Sequence, residues 1–237
     1  MMPVIGIPLR YGKLEDERAI TYMNEKIRRT IMNASGYVFA ISPVQDVDYV
    51  NTRTNDFREL NEIEKRIIEN NLDSCDGLLF PGGNKFTPYD RYLLKRAIEK
   101  KIPVLGICLG MQLMSCYEDE VYLEKVDSSI VHKQDDDDKL THKIKIDKSS
   151  KLYEIIGNEE IFVNSFHNYH ATENKYYKVV ATSDDGIIEA IEYPGEVFNI
   201  GIQWHPEISY LFDENSKKII DAFINAARSY SEKRMSV

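Results

Sequence analysis

Short apolar runs alternate with longer stretches in which apolar residues recur every three or four positions. This is the pattern of a parallel sheet covered by helices on both faces. Val4-Ile5-Gly6-Ile7 reads as a buried strand. Arg18 to Ser35 carries Ile20, Met23, Ile27, Ile31 and Ala34 at helical spacing, and Gly36 is expected to close that helix. Tyr37 to Ile41 is a second strand, ended by Pro43. The spacing of Leu60, Ile63, Ile67 and Ile68 predicts a helix over Phe57 to Asn71. Asp76 to Phe80 is a third strand, running into Pro81-Gly82-Gly83. A helix over Pro88 to Lys101, a strand over Pro103 to Ile107 and a helix beginning at Met111 complete a regular βα series.

From about Tyr117 the pattern becomes mostly strand-like. Leu140 to Ile146, Ile161 to Asn164, Tyr177 to Thr182, Ile187 to Glu192 and Phe198 to Gln203 are the expected strands. Asp184-Asp185-Gly186 reads as a hairpin turn, and Asp213 to Tyr230 as a closing helix. The expected fold is a flavodoxin-like three-layer α/β/α sandwich, mostly parallel, with antiparallel strands added in its second half. No repeat or linker divides the chain, so one domain over 1–237 is expected.

Composition narrows the function. Hydrophobic residues make up 43% of the 237, enough for a core without metals or disulfides. Three cysteines, with no CxxC pair, suit a reduced compartment, and the first residues lack a signal-peptide pattern. A cytoplasmic location is therefore expected. No apolar run is long enough to span a membrane. A net charge of −9 argues against nucleic-acid binding. The nearest basic stretch, Lys139 to Lys151, contains Asp147 and follows four aspartates. Those aspartates, Asp135 to Asp138, read as a solvated loop rather than a metal site.

Three segments carry candidate chemistry. Gly106-Ile107-Cys108-Leu109-Gly110 places a thiol between two glycines where a strand hands over to a helix. That is the elbow arrangement of a nucleophile, at a helix end that favours negative charge. Gln203-Trp204-His205-Pro206-Glu207 follows another strand. His205 can serve as base, and Glu207, two positions on in an extended segment, would orient it. Phe80-Pro81-Gly82-Gly83-Asn84 ends a third strand, and the N–H groups of Gly83 and Leu109 are candidate oxyanion donors. Taken singly, each has a plain alternative: a buried cysteine in a glycine turn, a structural histidine, an ordinary loop. Strand carboxyl ends gather ligands in such sheets, and all three segments end there.

Together these residues resemble the class I (triad) glutamine amidotransferase superfamily, in its γ-glutamyl-γ-aminobutyrate hydrolase (peptidase C26) branch. The resemblance also rests on Ile5-Gly6-Ile7, Tyr22-Met23-Asn24, Ala34-Ser35-Gly36, Met111-Gln112, Val163-Asn164-Ser165-Phe166-His167 and Asp185-Gly186-Ile187-Ile188-Glu189-Ala190. It implies a γ-glutamyl thioester on Cys108, water activated through His205, and no metal or organic cofactor. It also implies that Gly82, Gln112, Asn164, Ser165, Phe166 and His167 line the glutamyl pocket, and that His132 and His142 are structural. Three departures stand near the expected mouth of the site. Leu109 replaces the usual arginine, Cys116 to Val121 replaces a Gly-Gly-Thr-Leu segment, and Asn168-Tyr169 replaces His-Gln.

The leading expectation is a cysteine hydrolase that splits a small-molecule γ-glutamyl amide into glutamate and an amine such as γ-aminobutyrate. Two rivals are a glutaminase subunit delivering ammonia to a partner synthase and a non-catalytic binding module. A homodimer is expected only by analogy.

Overall fold

The computed structural model describes residues 1–116, 123–173 and 175–236. The replaced segment from Tyr117 to Val121 lies outside them. The chain opens with strands β1 (Val4–Pro8), β2 (Arg10–Lys13) and β3 (Ala19–Tyr22), then α1 (Glu25–Asn33) and β4 (Tyr37–Ile41). Next come α2 (Glu62–Asp73), β5 (Gly77–Phe80), α3 (Pro88–Glu99), β6 (Val104–Ile107) and α4 (Leu109–Ser115). The second half comprises β7 (Leu123–Lys125), β8 (His142–Ile146), α5 (Lys151–Ile156), β9 (Glu160–Val163) and β10 (Tyr169–Ala171). It ends with β11 (Lys178–Ser183), β12 (Ile188–Glu192), β13 (Asn199–Ile202), α6 (Pro206–Ser209) and α7 (Glu214–Met235).

Among the described residues, nine strands form one sheet in the order β4-β1-β5-β6-β13-β12-β11-β8-β9. The first five run parallel, and each later neighbour is antiparallel. The parallel half has the flavodoxin-like order, in which the carboxyl ends of the strands make a crevice. Its strands are apolar on both faces because helices cover both. Ile27 and Ile31 of α1, Leu152 and Ile156 of α5, and Ile219 to Ile224 of α7 pack with Ile5, Ile7 and Leu105 in one buried cluster. Ile68 and Leu72 of α2, Leu93 and Leu94 of α3, and Met111 to Met114 of α4 pack in the other with Leu78 and Phe80. This is the expected three-layer α/β/α sandwich. No helix among the described residues is long and apolar enough to cross a membrane.

Two helices depart from the sequence reading. The expected helix from Arg18 begins only at Glu25, because Ala19 to Tyr22 pairs antiparallel with Arg10 to Lys13. Asn24 caps the true start by accepting from the Lys26 N–H at 2.8 Å. Ser35, at φ 64, takes the left-handed position expected of Gly36. The helix expected from Phe57 starts after Asn61, whose side chain forms a reciprocal capping box with Glu64. Its buried positions include Ile68 and Leu72, while Ile63 is 70% exposed. The aspartate run is exposed or half-buried, with Asp136 paired to Lys139 and Asp137 to Lys26.

Candidate active site

Four parallel strands deliver their carboxyl ends to one place. β6 ends at Ile107, and Cys108 follows at φ 52, ψ −105, a backbone conformation that side chains rarely adopt. Its N–H donates to the Ile202 carbonyl of β13 at 2.8 Å, and its own carbonyl accepts from the Gln112 N–H at 3.0 Å. The elbow is thereby held on the sheet side and the helix side at once. The flanking glycines are needed for space: a Cβ on Gly110 would lie 2.1 Å from the Phe80 carbonyl oxygen.

β13 supplies the imidazole. His205 caps α6, and Pro206 occupies the first helical position, where its fixed φ suits a helix start. Glu207 therefore sits in a short helical turn rather than in the extended segment expected. Its carboxylate still reaches His205, with Oε1 at 2.7 Å from Nδ1. The Cys108 side chain is a close neighbour of the same ring, the two meeting beside Gly82, and acts on it electrostatically. Burial opposes charge on this ring, but the Glu207 carboxylate and the Cys108 sulfur outweigh it. Together they hold His205 well above the ordinary histidine value. Cys75 makes a contrast. Burial, with a further push from Asp76, raises its thiol to about 12, so it stays protonated at neutral pH.

A cleft of about 580 Å³ opens beside the thiol, lined in part by Gly83, Cys108, Leu109, Gln112, Phe166 and His167. Gly82 packs against the pair, its missing Cβ lying 3.0 Å from His205 Cε1 and 3.6 Å from Cys108 Cβ. Leu109 is the first residue of α4, so its N–H has no carbonyl within the helix to bond. The Gln112 amide donates to the Tyr169 carbonyl at 2.9 Å and to Gln203 Oε1 at 3.2 Å. Phe166 meets the His205 ring edge-on at 5.5 Å between centroids.

Not every expected pocket residue faces the cleft. Asn164 is wholly buried and holds the His205 backbone: its Oδ1 accepts the His205 N–H and its Nδ2 donates to the His205 carbonyl, both at 2.8 Å. The Ser165 hydroxyl donates to the His132 carbonyl at 2.7 Å, behind the cleft wall. His167 does line the cleft, while its ring also lies against His132, with 3.3 Å between His132 Nδ1 and His167 Nε2.

Arg10 has no counterpart in the sequence reading. It follows β1, is 4% exposed, and donates to the Pro81 carbonyl at 2.7 Å and the Gly82 carbonyl at 3.2 Å. Asp90, fully buried, pairs with the same guanidinium at 2.8 Å. A charged residue just past a buried first strand was the available signal, because that strand too ends at the crevice.

The profile of the peptidase C26 family matches residues 88–207. The chain is 22% identical over 260 aligned positions to the γ-glutamyl-γ-aminobutyrate hydrolase of Escherichia coli O157:H7, covering 96% of this chain and 94% of that protein. It is 29% identical to the CTP synthase of Thermotoga maritima over 187 residues, which covers 64% of this chain. The chain spans only 36% of that synthase's length. Among solved structures, a GMP synthase component from Thermoplasma acidophilum superposes with a TM-score of 0.67 at 17% identity, covering 99% of this chain and 98% of that one. That likeness bears on the fold. By its profile match over half its length, and by these relatives, the chain is a glutamine amidotransferase-like hydrolase of the peptidase C26 family.

Proposed function

We propose that this chain, acting as one domain over residues 1–237, hydrolyses the γ-glutamyl amide bond of a small-molecule amine conjugate. What carries the reading is the Glu207–His205 hydrogen bond with Cys108 beside the same ring, at the wall of a cleft. The Cys108 sulfur attacks the γ-carbonyl carbon, and the N–H groups of Gly83 and Leu109 receive the developing oxyanion. The His205 imidazolium gives its proton to the departing amine nitrogen, leaving a γ-glutamyl thioester. Water then gives a proton to His205 and attacks the thioester carbonyl. Glutamate leaves and the sulfur regains its charge. Glu207 keeps the ring in one orientation and stabilises its positive charge throughout. The cleft volume suits a ligand of this size. No organic cofactor takes part in these steps.

The test is a substrate panel: L-glutamine and a series of γ-glutamyl amines, with ammonia, free amine and glutamate all measured. At least one γ-glutamyl amine is expected to exceed glutamine in kcat/KM by about tenfold or more, since a pocket that holds the amine adds contacts glutamine lacks. A second reading, a glutaminase that supplies a synthase, draws on the CTP synthase relative. It requires the opposite ranking, with glutamine turnover rising when a synthase is added. Absence of turnover for every compound would leave a binding module.

Glu207→Gln gives an independent check. Loss of the carboxylate is expected to lower kcat/KM by about 10²- to 10³-fold. The carboxylate raises the affinity of His205 for its proton, so its removal shifts the alkaline limb of the pH–rate profile to lower pH. The same raised value favours the fold below the ordinary histidine pKa. That contribution fades as pH climbs through the titration of His205 itself. An unmoved alkaline limb would contradict the assigned roles.

A further inference from the structure

Against the wall of the cleft, to which His167 contributes, three buried histidines converge on one buried carboxylate. Glu189 of β12 is fully buried, and its Oε1 lies 3.0 Å from His142 Nε2, 3.3 Å from His132 Nδ1 and 3.7 Å from His167 Nε2. His132 Nδ1 and His167 Nε2 are themselves 3.3 Å apart. One donor atom each from His132, His142 and Glu189 lies within 4.8 Å of the others. The remaining carboxylate oxygen, Oε2, is buried with no hydrogen-bond partner among the described residues.

The outward nitrogens decide what the inward ones can be. His132 Nε2 faces Asp185 Oδ2 at 3.0 Å, His142 Nδ1 faces the Val131 carbonyl at 3.1 Å, and His167 Nδ1 faces the Tyr169 carbonyl at 3.0 Å. Each of those partners is an acceptor, so each outward nitrogen must carry the hydrogen. In neutral imidazoles the three inward nitrogens then present bare lone pairs to one another and to a carboxylate. Such a cluster repels itself unless something positive sits at its centre. An outward N–H bonded to a carboxylate or backbone carbonyl is also the arrangement that orients metal-ligating histidines. Ligands at about 2.0–2.1 Å on a tetrahedral zinc ion lie roughly 3.3 Å apart, and the Glu189 oxygen stands 3.0 and 3.3 Å from the His142 and His132 nitrogens.

We propose that His132, His142 and Glu189 form a buried three-ligand site for a divalent transition ion such as Zn²⁺. The site is distinct from the catalytic thiol. Each histidine gives one lone pair and keeps its outward N–H, Glu189 gives one oxygen, and any proton held inside leaves to solvent on binding. The ion would cross-link β8, β12 and the segment that carries His132, against which His167 packs. His167 follows Phe166, which touches the His205 ring, and the Glu189 carbonyl accepts the Gln203 N–H at 2.8 Å, two residues before His205. The role is therefore structural support for the cleft wall. His132 and His142, expected as structural, would be structural as ligands.

The full-length, tag-free chain, stripped with a chelator and dialysed against ZnCl₂, is expected to retain about one equivalent of zinc by elemental analysis. Its Tm should rise by about 5 °C. Glu189→Gln should lose the retained ion and the Tm response. Because that variant can fail to fold, Co²⁺ is added to the stripped wild-type chain as a second probe. A visible d–d band typical of tetrahedral nitrogen and oxygen ligation should appear and be discharged by zinc. Cys108→Ala should bind the same equivalent. Substoichiometric zinc with no cobalt band would overturn the proposal and leave protons as the charge between the rings. Loss of binding in Cys108→Ala would overturn it by moving the ion to the thiol.

Discussion

Alanine at Cys108 is expected to reduce turnover of the preferred γ-glutamyl amide by on the order of 10⁴-fold or more, with the fold intact. The side chain is small and 8% exposed, so its removal costs little packing. What disappears is the only group in the line with His205 and Glu207 that can become a covalent intermediate. The residual rate should come from the two N–H donors and from binding alone. Mass spectrometry of the wild-type enzyme quenched during turnover should show a γ-glutamyl adduct on the peptide containing Cys108. The alanine variant should show none. A variant that kept even a tenth of the activity would remove Cys108 from the mechanism.

The second large effect is on stability. Gly110→Ala is expected to destabilise the protein by about 3 kcal/mol or more, measured by urea unfolding, because the new methyl would stand 2.1 Å from the Phe80 carbonyl oxygen. That oxygen belongs to the end of β5 and cannot rotate aside as a flexible side chain would. Relief requires α4 and β5 to part, which also moves the loop that begins at Pro81. Any folded fraction should therefore have lost activity as well. Gly157→Ala is the useful comparison. Gly157 has φ +80 and nothing within 4 Å of a new Cβ, so only backbone strain applies, at about 1–2 kcal/mol. Equal losses for the two variants would show that crowding at the elbow is not what Gly110 avoids.

The sequence exposed the parts of this molecule that depend on local pattern. Cys108, His205, Gly83 and Leu109 stand at the ends of buried strands, and such strands are legible as short apolar runs. What it hid depends on partners distant in the chain. Ala19 to Tyr22 shares its helical spacing with α1, and only its pairing with Arg10 to Lys13 makes it a strand. Ile63 belonged to the apparent stripe of α2 yet faces solvent, while Leu72, past the expected end, is buried. The capping pair Asn61 and Glu64 was a readable signal of the true start. The meeting of His132, His142, His167 and Glu189 has no such signal. It is set by the order of the antiparallel strands, which spacing along the chain does not encode. Asn164 was placed in the right neighbourhood, but its task of holding the His205 backbone is visible only from the hydrogen bonds.

The hold that Arg10 exerts on the loop after β5 also fixes the plane of a peptide at the candidate site. The peptide joining Gly82 to Gly83 is trans, so its N–H points opposite to its C=O. With that C=O bound to Arg10, and Arg10 locked in turn by Asp90, turning the peptide plane over would break a buried charge-assisted contact. The Gly83 N–H is thus held in one orientation before any ligand arrives.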